Sequence, residues 1–171
     1  FLGRGQDASL ASTIAGRRTE FDASFTEPYF LDRDLSAGVD AFHITRDFQR
    51  QSSYDQRRTG GALRLGYPLS EKWRQSLRYQ LERNEIKNVD DNASRYIREQ
   101  EGTRVTSSVS QRLTYDDRDS TLFPTDGLYS WLDTEIAGLG GDAKYVSARL
   151  GATWYYPVTE GWVFSLMGEG G

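Results

Sequence analysis

The sequence predicts an all-β protein: an antiparallel, up-and-down sheet of membrane-crossing strands, part of a transmembrane β-barrel. Three observations carry that prediction. Side-chain character alternates with a period of two along nine stretches. A phrase recurs, first as Tyr67-Pro68-Leu69-Ser70-Glu71-Lys72-Trp73 and then as Tyr156-Pro157-Val158-Thr159-Glu160-Gly161-Trp162, each copy read as a tight turn between strands. Aromatic residues gather at every second connection, as they do where turns lie at a membrane interface.

The strands are expected, in order, at 6–17, 20–27, 34–46, 59–69, 73–82, 104–115, 127–137, 145–156 and 162–169. The cleanest puts Phe21, Ala23 and Phe25 on one face and Glu20, Asp22, Ser24 and Thr26 on the other. The fifth sets Trp73, Leu77, Tyr79 and Leu81 against Arg74, Ser76, Arg78, Gln80 and Glu82. The sixth and eighth alternate in the same way, with Val105, Val109, Leu113 and Tyr115 in one and Val146, Ala148, Leu150, Ala152 and Trp154 in the other. Such lengths suit a tilted membrane strand of about 9–11 residues. The apolar face switches near Ala41-Phe42, which predicts either a bulge there or a register misjudged from the residues.

The connections form two sets. Those at 29–34, 68–72, 116–126 and 157–161 carry or adjoin aromatics: Tyr29 and Phe30; Tyr67 and Trp73; Tyr115 and Phe123; Trp154, Tyr156 and Trp162. Those at 17–20, 46–58, 86–103 and 138–143 are polar, and 86–103 is expected to be a mobile loop. Short turns on one side and longer polar loops on the other are the asymmetry of an outer-membrane barrel, which places the aromatic belt at the periplasmic interface. A soluble antiparallel sheet with one wet face explains the alternation equally well, but explains the recurring aromatics less well.

Composition narrows the chemistry. The net charge of −4 gives no support to a nucleic-acid partner. One His and no Cys leave no thiol catalysis, disulfide framework or ordinary zinc site. No apolar run is long enough for a membrane helix. The mean hydropathy of −0.67 is compatible with a barrel, because only alternate residues meet lipid. No metal or cofactor site emerges. Thr121 and Gly127 stand where a calcium loop counted from Asp116 needs Gly and Glu. Gly138-Leu139-Gly140-Gly141-Asp142 lacks the Lys-Ser/Thr of a phosphate loop. Cofactors are therefore expected to be none, and an enzyme is not expected.

Three segments resemble a known family. Phe1-Leu2-Gly3-Arg4-Gly5 is similar to the lead-in to the first barrel strand of BamA-type outer-membrane assembly factors. Phe25-Thr26-Glu27-Pro28-Tyr29-Phe30 resembles their turn between strands two and three. Tyr115-Asp116-Asp117-Arg118-Asp119, followed by Phe123-Pro124-Thr125-Asp126-Gly127, resembles their Asp-Arg…Phe-Pro-Thr-Asp-Gly turn before strand seven. The resemblance runs over the whole chain. It implies periplasmic POTRA domains followed by a barrel of about sixteen strands, of which residues 1–171 would be the first nine. The POTRA domains, the later strands and the Arg-Gly-Phe loop motif lie outside this sequence.

The resemblance also implies a role for the first strand. Gln6, Asp7, Ala8, Ser9, Leu10, Ala11, Ser12 and Thr13 are mostly small or polar, so pairing rests on backbone hydrogen bonds and leaves an edge that another strand can join. Read alone, this is an ordinary passive edge. Read with the family, Phe1, Leu2, Gly3, Gly5 and residues 6–13 form one side of a lateral seam where a client barrel strand pairs, with Gly3 and Gly5 as hinges. The partners so implied are outer-membrane lipid, unfolded β-barrel clients and assembly-complex lipoproteins, in the bacterial outer membrane. The competing functions are a passive porin-like channel using the charged polar face and a translocation-type paralogue. The mixed charges there, among them Arg64, Arg78, Glu82, Arg112, Asp133 and Arg149, read as a hydrated lumen with cross-strand ion pairs.

Overall fold

Among the described residues nine strands form one antiparallel sheet in simple sequence order, β1 through β9, each paired to its chain neighbours. The structure is a computed structural model, in which residues 5–49, 54–90 and 93–171 are described. The strands are β1 (Asp7–Ala15), β2 (Arg18–Glu27), β3 (Ser36–Asp47), β4 (Asp55–Pro68), β5 (Trp73–Lys87), β6 (Gly102–Asp116), β7 (Gly127–Ala137), β8 (Tyr145–Thr159) and β9 (Trp162–Gly170). No helix of the described residues is long and apolar enough to cross a membrane, which leaves crossing by strands open.

The ladder fixes which side chains share a face. One face carries Leu10, Phe21, Phe25, Val39, Leu63, Leu65, Leu77, Tyr79, Leu81, Val109, Leu132, Ile136, Leu150, Trp154 and Phe164, joined across strands by continuous register. Many of these are exposed, so the apolar face is turned outward. A soluble protein would cover it; a membrane barrel leaves it for lipid. The other face is polar. A cavity of about 400 Å³ lies against it, lined from β3 to β8, so this is the concave, lumenal side.

Polar groups on the apolar face are satisfied laterally, as a lipid environment requires. Tyr67 Oη donates to Gln75 Oε1 (2.9 Å), and Gln75 Nε2 donates to Gln111 Oε1 (3.0 Å), a chain across β4, β5 and β6. Ser107 Oγ donates to Tyr79 Oη (3.1 Å).

Of the two alternatives at Ala41-Phe42 the bulge is absent, and the misjudged register holds. β3 keeps unbroken register with both neighbours, and Phe42 and Ile44 point to the lumen. The reason lies opposite: Phe42 pairs with Gly60, and a Cβ on Gly60 would come within 2.8 Å of the Phe42 ring. The ring lies across a missing side chain, so no bulge is needed. Two more lumenal pairs repeat the device: Arg64 lies over Gly38, and Trp131 over Gly151. A concave face crowds its side chains, and alternating large with none relieves the crowding.

The ladder's register shift lies instead between Pro157 and Thr159. The repeated Tyr-Pro is therefore a strand end rather than a turn. Pro68 closes β4, and Pro157 lies within β8, leaving Glu160-Gly161 as the bend, with Gly161 at φ +81°. The first three polar connections are also shorter than expected, while the fourth runs one residue longer, over 138–144. β4 begins at Asp55, β5 runs on to Lys87 and β6 starts at Gly102, so the loop expected at 86–103 shrinks to 88–101. It contains a helical turn, Arg95–Arg98, whose Ser94 Oγ accepts from Ile97 N (3.4 Å). The asymmetry of connection lengths is imperfect, since the aromatic side carries the ten-residue 117–126 and the other side the tight 16–17.

Candidate functional site

β1 is an edge. It pairs with β2 along its full length, from Asp7↔Thr26 to Ala15↔Arg18, and no strand of the described residues lies on its other side. All nine of its residues are exposed. Ala8, Leu10, Ser12 and Ile14 face outward, and Asp7, Ser9, Ala11, Thr13 and Ala15 face the lumen. One side-chain bond reinforces the hairpin: Ser9 Oγ lies 2.7 Å from Ser24 Oγ. The backbone ladder therefore does nearly all the holding.

The start of β1 is tied down more firmly than its middle. Gln6 Nε2 donates to Glu27 Oε2, and Glu27 Oε1 accepts from Tyr29 N (3.2 Å), so one carboxylate joins the lead-in to the β2–β3 turn. Gly5 sits at φ +75°, a backbone conformation that favours glycine, with Pro28 Cγ 3.4 Å from where a Cβ would stand. Phe1, Leu2 and Gly3 lie outside the described residues. Beside this junction opens a cleft of about 1060 Å³ lined by Gln6, Phe25, Glu27, Tyr29, Phe30 and Val39 among others. Sequence reasoning missed the Glu27 bridge, because its two partners are brought together only by the β1–β2 register.

The expected belt residues lie at one end of the sheet, opposite the polar loops. Tyr67, Trp73, Tyr115, Trp154, Tyr156 and Trp162 sit on the outward face at strand ends, and Tyr29, Phe30 and Phe123 in the adjoining turns. Trp73 and Tyr115 are in ring contact (4.9 Å), as are Trp154 and Tyr156 (5.6 Å). The turns beneath are linked by charge: Lys72 Nζ meets Asp117 Oδ1 at 2.5 Å. Each partner shifts the other, raising the lysine and lowering the carboxyl.

Asp119 organises the β6–β7 turn. Its carboxylate accepts from Thr125 Oγ1, from Thr125 N (2.8 Å), Asp126 N (3.1 Å) and Ser120 N (3.0 Å). Those donors, the Thr125 hydroxyl foremost, hold its carboxyl down to about 2. Gly127 closes the turn at φ +111°, where a Cβ would lie 2.1 Å from Asp117 O.

On the lumenal face the mixed charges form cross-strand pairs. Arg112 makes a two-pronged contact with Asp133 (2.6 Å each), and Arg58 with Glu82 (2.9 and 2.6 Å). Arg64 and Arg78 stand directly opposite each other, and Asp40 relieves that repulsion by accepting from both (2.8 and 3.1 Å). Asp40 and Arg58 were not singled out from the sequence. Their signal was available, since both occupy the polar phase of their strands. Among the described residues no group of His, Cys, Asp and Glu could hold a metal ion.

Comparison with known proteins agrees with this geometry. The Omp85 superfamily domain matches residues 1–171. The chain belongs to the Omp85 superfamily. It is 35% identical over 147 residues to the outer membrane protein assembly factor BamA of Nitratidesulfovibrio vulgaris, covering 85% of this chain and 18% of that protein. It is 26% identical over 185 residues to BamA of Neisseria meningitidis, covering 99% of this chain and 23% of that one. The crystal structure of Haemophilus ducreyi BamA lacking POTRA domains 1–3 superposes with a TM-score of 0.75 at 22% identity, over 98% of this chain and 35% of that one. The fold is that of BamA-type barrel strands, and the chain spans less than a quarter of these two curated relatives. Its location is the bacterial outer membrane.

Proposed function

We propose that this segment is the N-terminal part of the barrel of an outer-membrane assembly factor, and that β1 templates the incoming strand of a client barrel. The observation that carries the reading is the first strand itself. It is a regular strand paired along one side to β2, with no strand of the described residues on the other, and all of its side chains but Leu10 and Ile14 are small or polar. Backbone donors and acceptors at a sheet edge are a general template for strand addition, and a strand with only two large side chains and no aromatic one keeps that template permissive.

β9 is the other edge of the sheet, and it differs. Trp162, Phe164 and Leu166 project from its outward face, so a neighbour there must match bulky side chains. That suits a fixed strand of the same barrel, whereas β1 suits many clients. The remaining strands, preceding POTRA domains and accessory lipoproteins belong to the same proposal. So does the belt as the periplasmic interface. The work is non-enzymatic: backbone pairing at the seam lowers the barrier to folding a strand in the membrane, with neither nucleotide nor cofactor.

The test uses the absence of cysteine. Single Cys residues are placed from Asp7 to Thr13 in the full-length protein, and a client barrel with one Cys in its last strand is halted during assembly. Disulfide capture in one fixed register is the expected result. No capture at any position, with the client still reaching the membrane, would leave a channel or a translocation-type paralogue as the better account. A channel would show steady conductance whose ion selectivity changes on Arg78 substitution.

A further inference from the structure

The outward face changes character abruptly at the loop end. Along β5 the apolar residues run from Trp73 to Leu81. That stretch rises about 26 Å along the strand, or about 20 Å of membrane depth at a tilt near 40°. The next outward positions on β5 are Arg83, Glu85 and Lys87, and Arg57 stands opposite Glu85 on β4. These four share the face of Leu63, Tyr79 and Leu81, not the lumen.

Glu85 is the hub. Its carboxylate is 2.9 Å from Lys87 Nζ, 3.5 Å from Arg83 and 4.0 Å from Arg57. Its side chain is 11% exposed, while those of Arg57, Arg83 and Lys87 are 55, 61 and 60% exposed. Three cations thus share one carboxylate and turn the rest of their donors outward. Two further carboxylates lie one row beyond, Asp47 and Asp55, and both are engaged: Asp55 Oδ2 accepts from Asn88 (2.6 Å) and Asp47 Oδ1 from Gln49 N (2.8 Å). A small cavity of about 260 Å³ opens between these groups and the strand ends. On a lipid-facing surface, cations are tolerated at the rim of the apolar band, where long side chains reach the headgroups. Basic clusters at that depth recognise anionic headgroups.

We propose that Arg57, Arg83 and Lys87 form a binding site for the phosphate-monoester headgroup of a lipid in the leaflet at the loop end. Glu85 gathers the three cations around one carboxylate, close enough together that one phosphate accepts from more than one of them. The site holds the barrel at a fixed depth on the side away from the aromatic turns. It rests on the lipid-facing placement of these strands and is independent of client pairing at β1.

The test is lipid retention by the full-length protein in phosphatidylcholine nanodiscs, counted by native mass spectrometry. The discs carry diphosphorylated lipid A, its dephosphorylated form or phosphatidylglycerol. The unmodified protein is expected to retain the diphosphorylated lipid several-fold over the other two. The triple variant R57Q/R83Q/K87Q is expected to lose at least fivefold of that preference, and R57K/R83K to keep most of it. Heat-modifiable gel mobility reports that each variant is folded. If the triple variant does not fold, Arg83→Gln alone is expected to lose about twofold. Wild-type retention by a folded variant, or equal retention of the dephosphorylated lipid, would overturn the site. Equal retention of phosphatidylglycerol would overturn its assignment to a monoester headgroup.

Discussion

The β1–β2 hairpin and the β4–β5–β6 centre are made from the same ladder and held by different things. Opposite β5, every few residues, a side chain finds a specific partner: Arg58 with Glu82, Tyr67 with Gln75, Gln75 with Gln111, Tyr79 with Ser107. Along β1 the side chains add only Ser9 with Ser24 and the latch from Gln6 to Glu27. Register is thus written in side chains at the centre of the sheet and mostly in backbone along β1, its rim, which is the difference the proposed templating role draws on. Backbone pairing is indifferent to sequence, so under the proposed function β1 would accept strands that the centre would reject.

Glycine substitution is the sharpest way to break this comparison. At Gly60 a new Cβ would meet Leu81 O at 2.5 Å and the Phe42 ring at 2.8 Å, so backbone must shift. At Gly16, in the β1–β2 turn, nothing lies within 4 Å. Gly60→Val is expected to destabilise the full-length barrel by about 1–3 kcal/mol, and Gly16→Val to change it by less than about 0.5 kcal/mol. Denaturant midpoints in a defined lipid or detergent read both. Equal effects would mean that the rim is packed as tightly as the centre.

Side-chain coupling gives the next, smaller contrast. A double-mutant cycle on Arg58 and Glu82 is expected to return about 1 kcal/mol of coupling, because the pair is two-pronged but half open to the lumen. The equivalent cycle on Ser9 and Ser24 is expected to return only a few tenths of a kcal/mol. A Ser9–Ser24 coupling as large as that of the ion pair would show that β1 is specified by its side chains after all, and would weaken its case as a permissive template.

These contrasts also explain what could be read from the residues alone. The strand count, the order and the two faces were legible because alternation reports them directly, as at Phe21–Ala23–Phe25. The face of Phe42 was not, because its partner Gly60 sits on another strand and a glycine has no character to alternate. The extensions of β5 to Lys87 and of β6 back to Gly102 were hidden for a related reason. There, the outward positions turn from apolar to charged on β5 and to Thr103 on β6 as the strands leave the apolar band, so the period survives while its contrast is lost. At the candidate site, the smallness of β1 was visible. The latch through Glu27 was not, since it needs the register that folding supplies.

The weakest expected effect concerns a turn that is held by one side chain rather than by a ladder. Asp119 binds the 119–126 turn through four donors, and its carboxyl lies near 2 instead of the ordinary 3.8. A depressed carboxyl stabilises the fold fully above its unfolded value and ceases to do so as the pH falls through its folded one. The turn should therefore be unaffected down to about pH 4 and loosen progressively toward pH 2. Because the carboxylate is open to solvent, the effect on the whole barrel should be slight and the effect on the turn local. A spin label at Leu122→Cys, at the exposed tip, reads it by electron paramagnetic resonance: mobility rises between pH 4 and 2 in the parent protein. Adding Asp119→Asn should leave the label mobile at every pH, since the amide keeps one acceptor where the carboxylate offered two. A label that stays immobile through pH 2 in both proteins would shift the credit to Gly127 and to the Lys72–Asp117 pair. The aromatic end would then be held, like the centre, by contacts between strands and not within one turn.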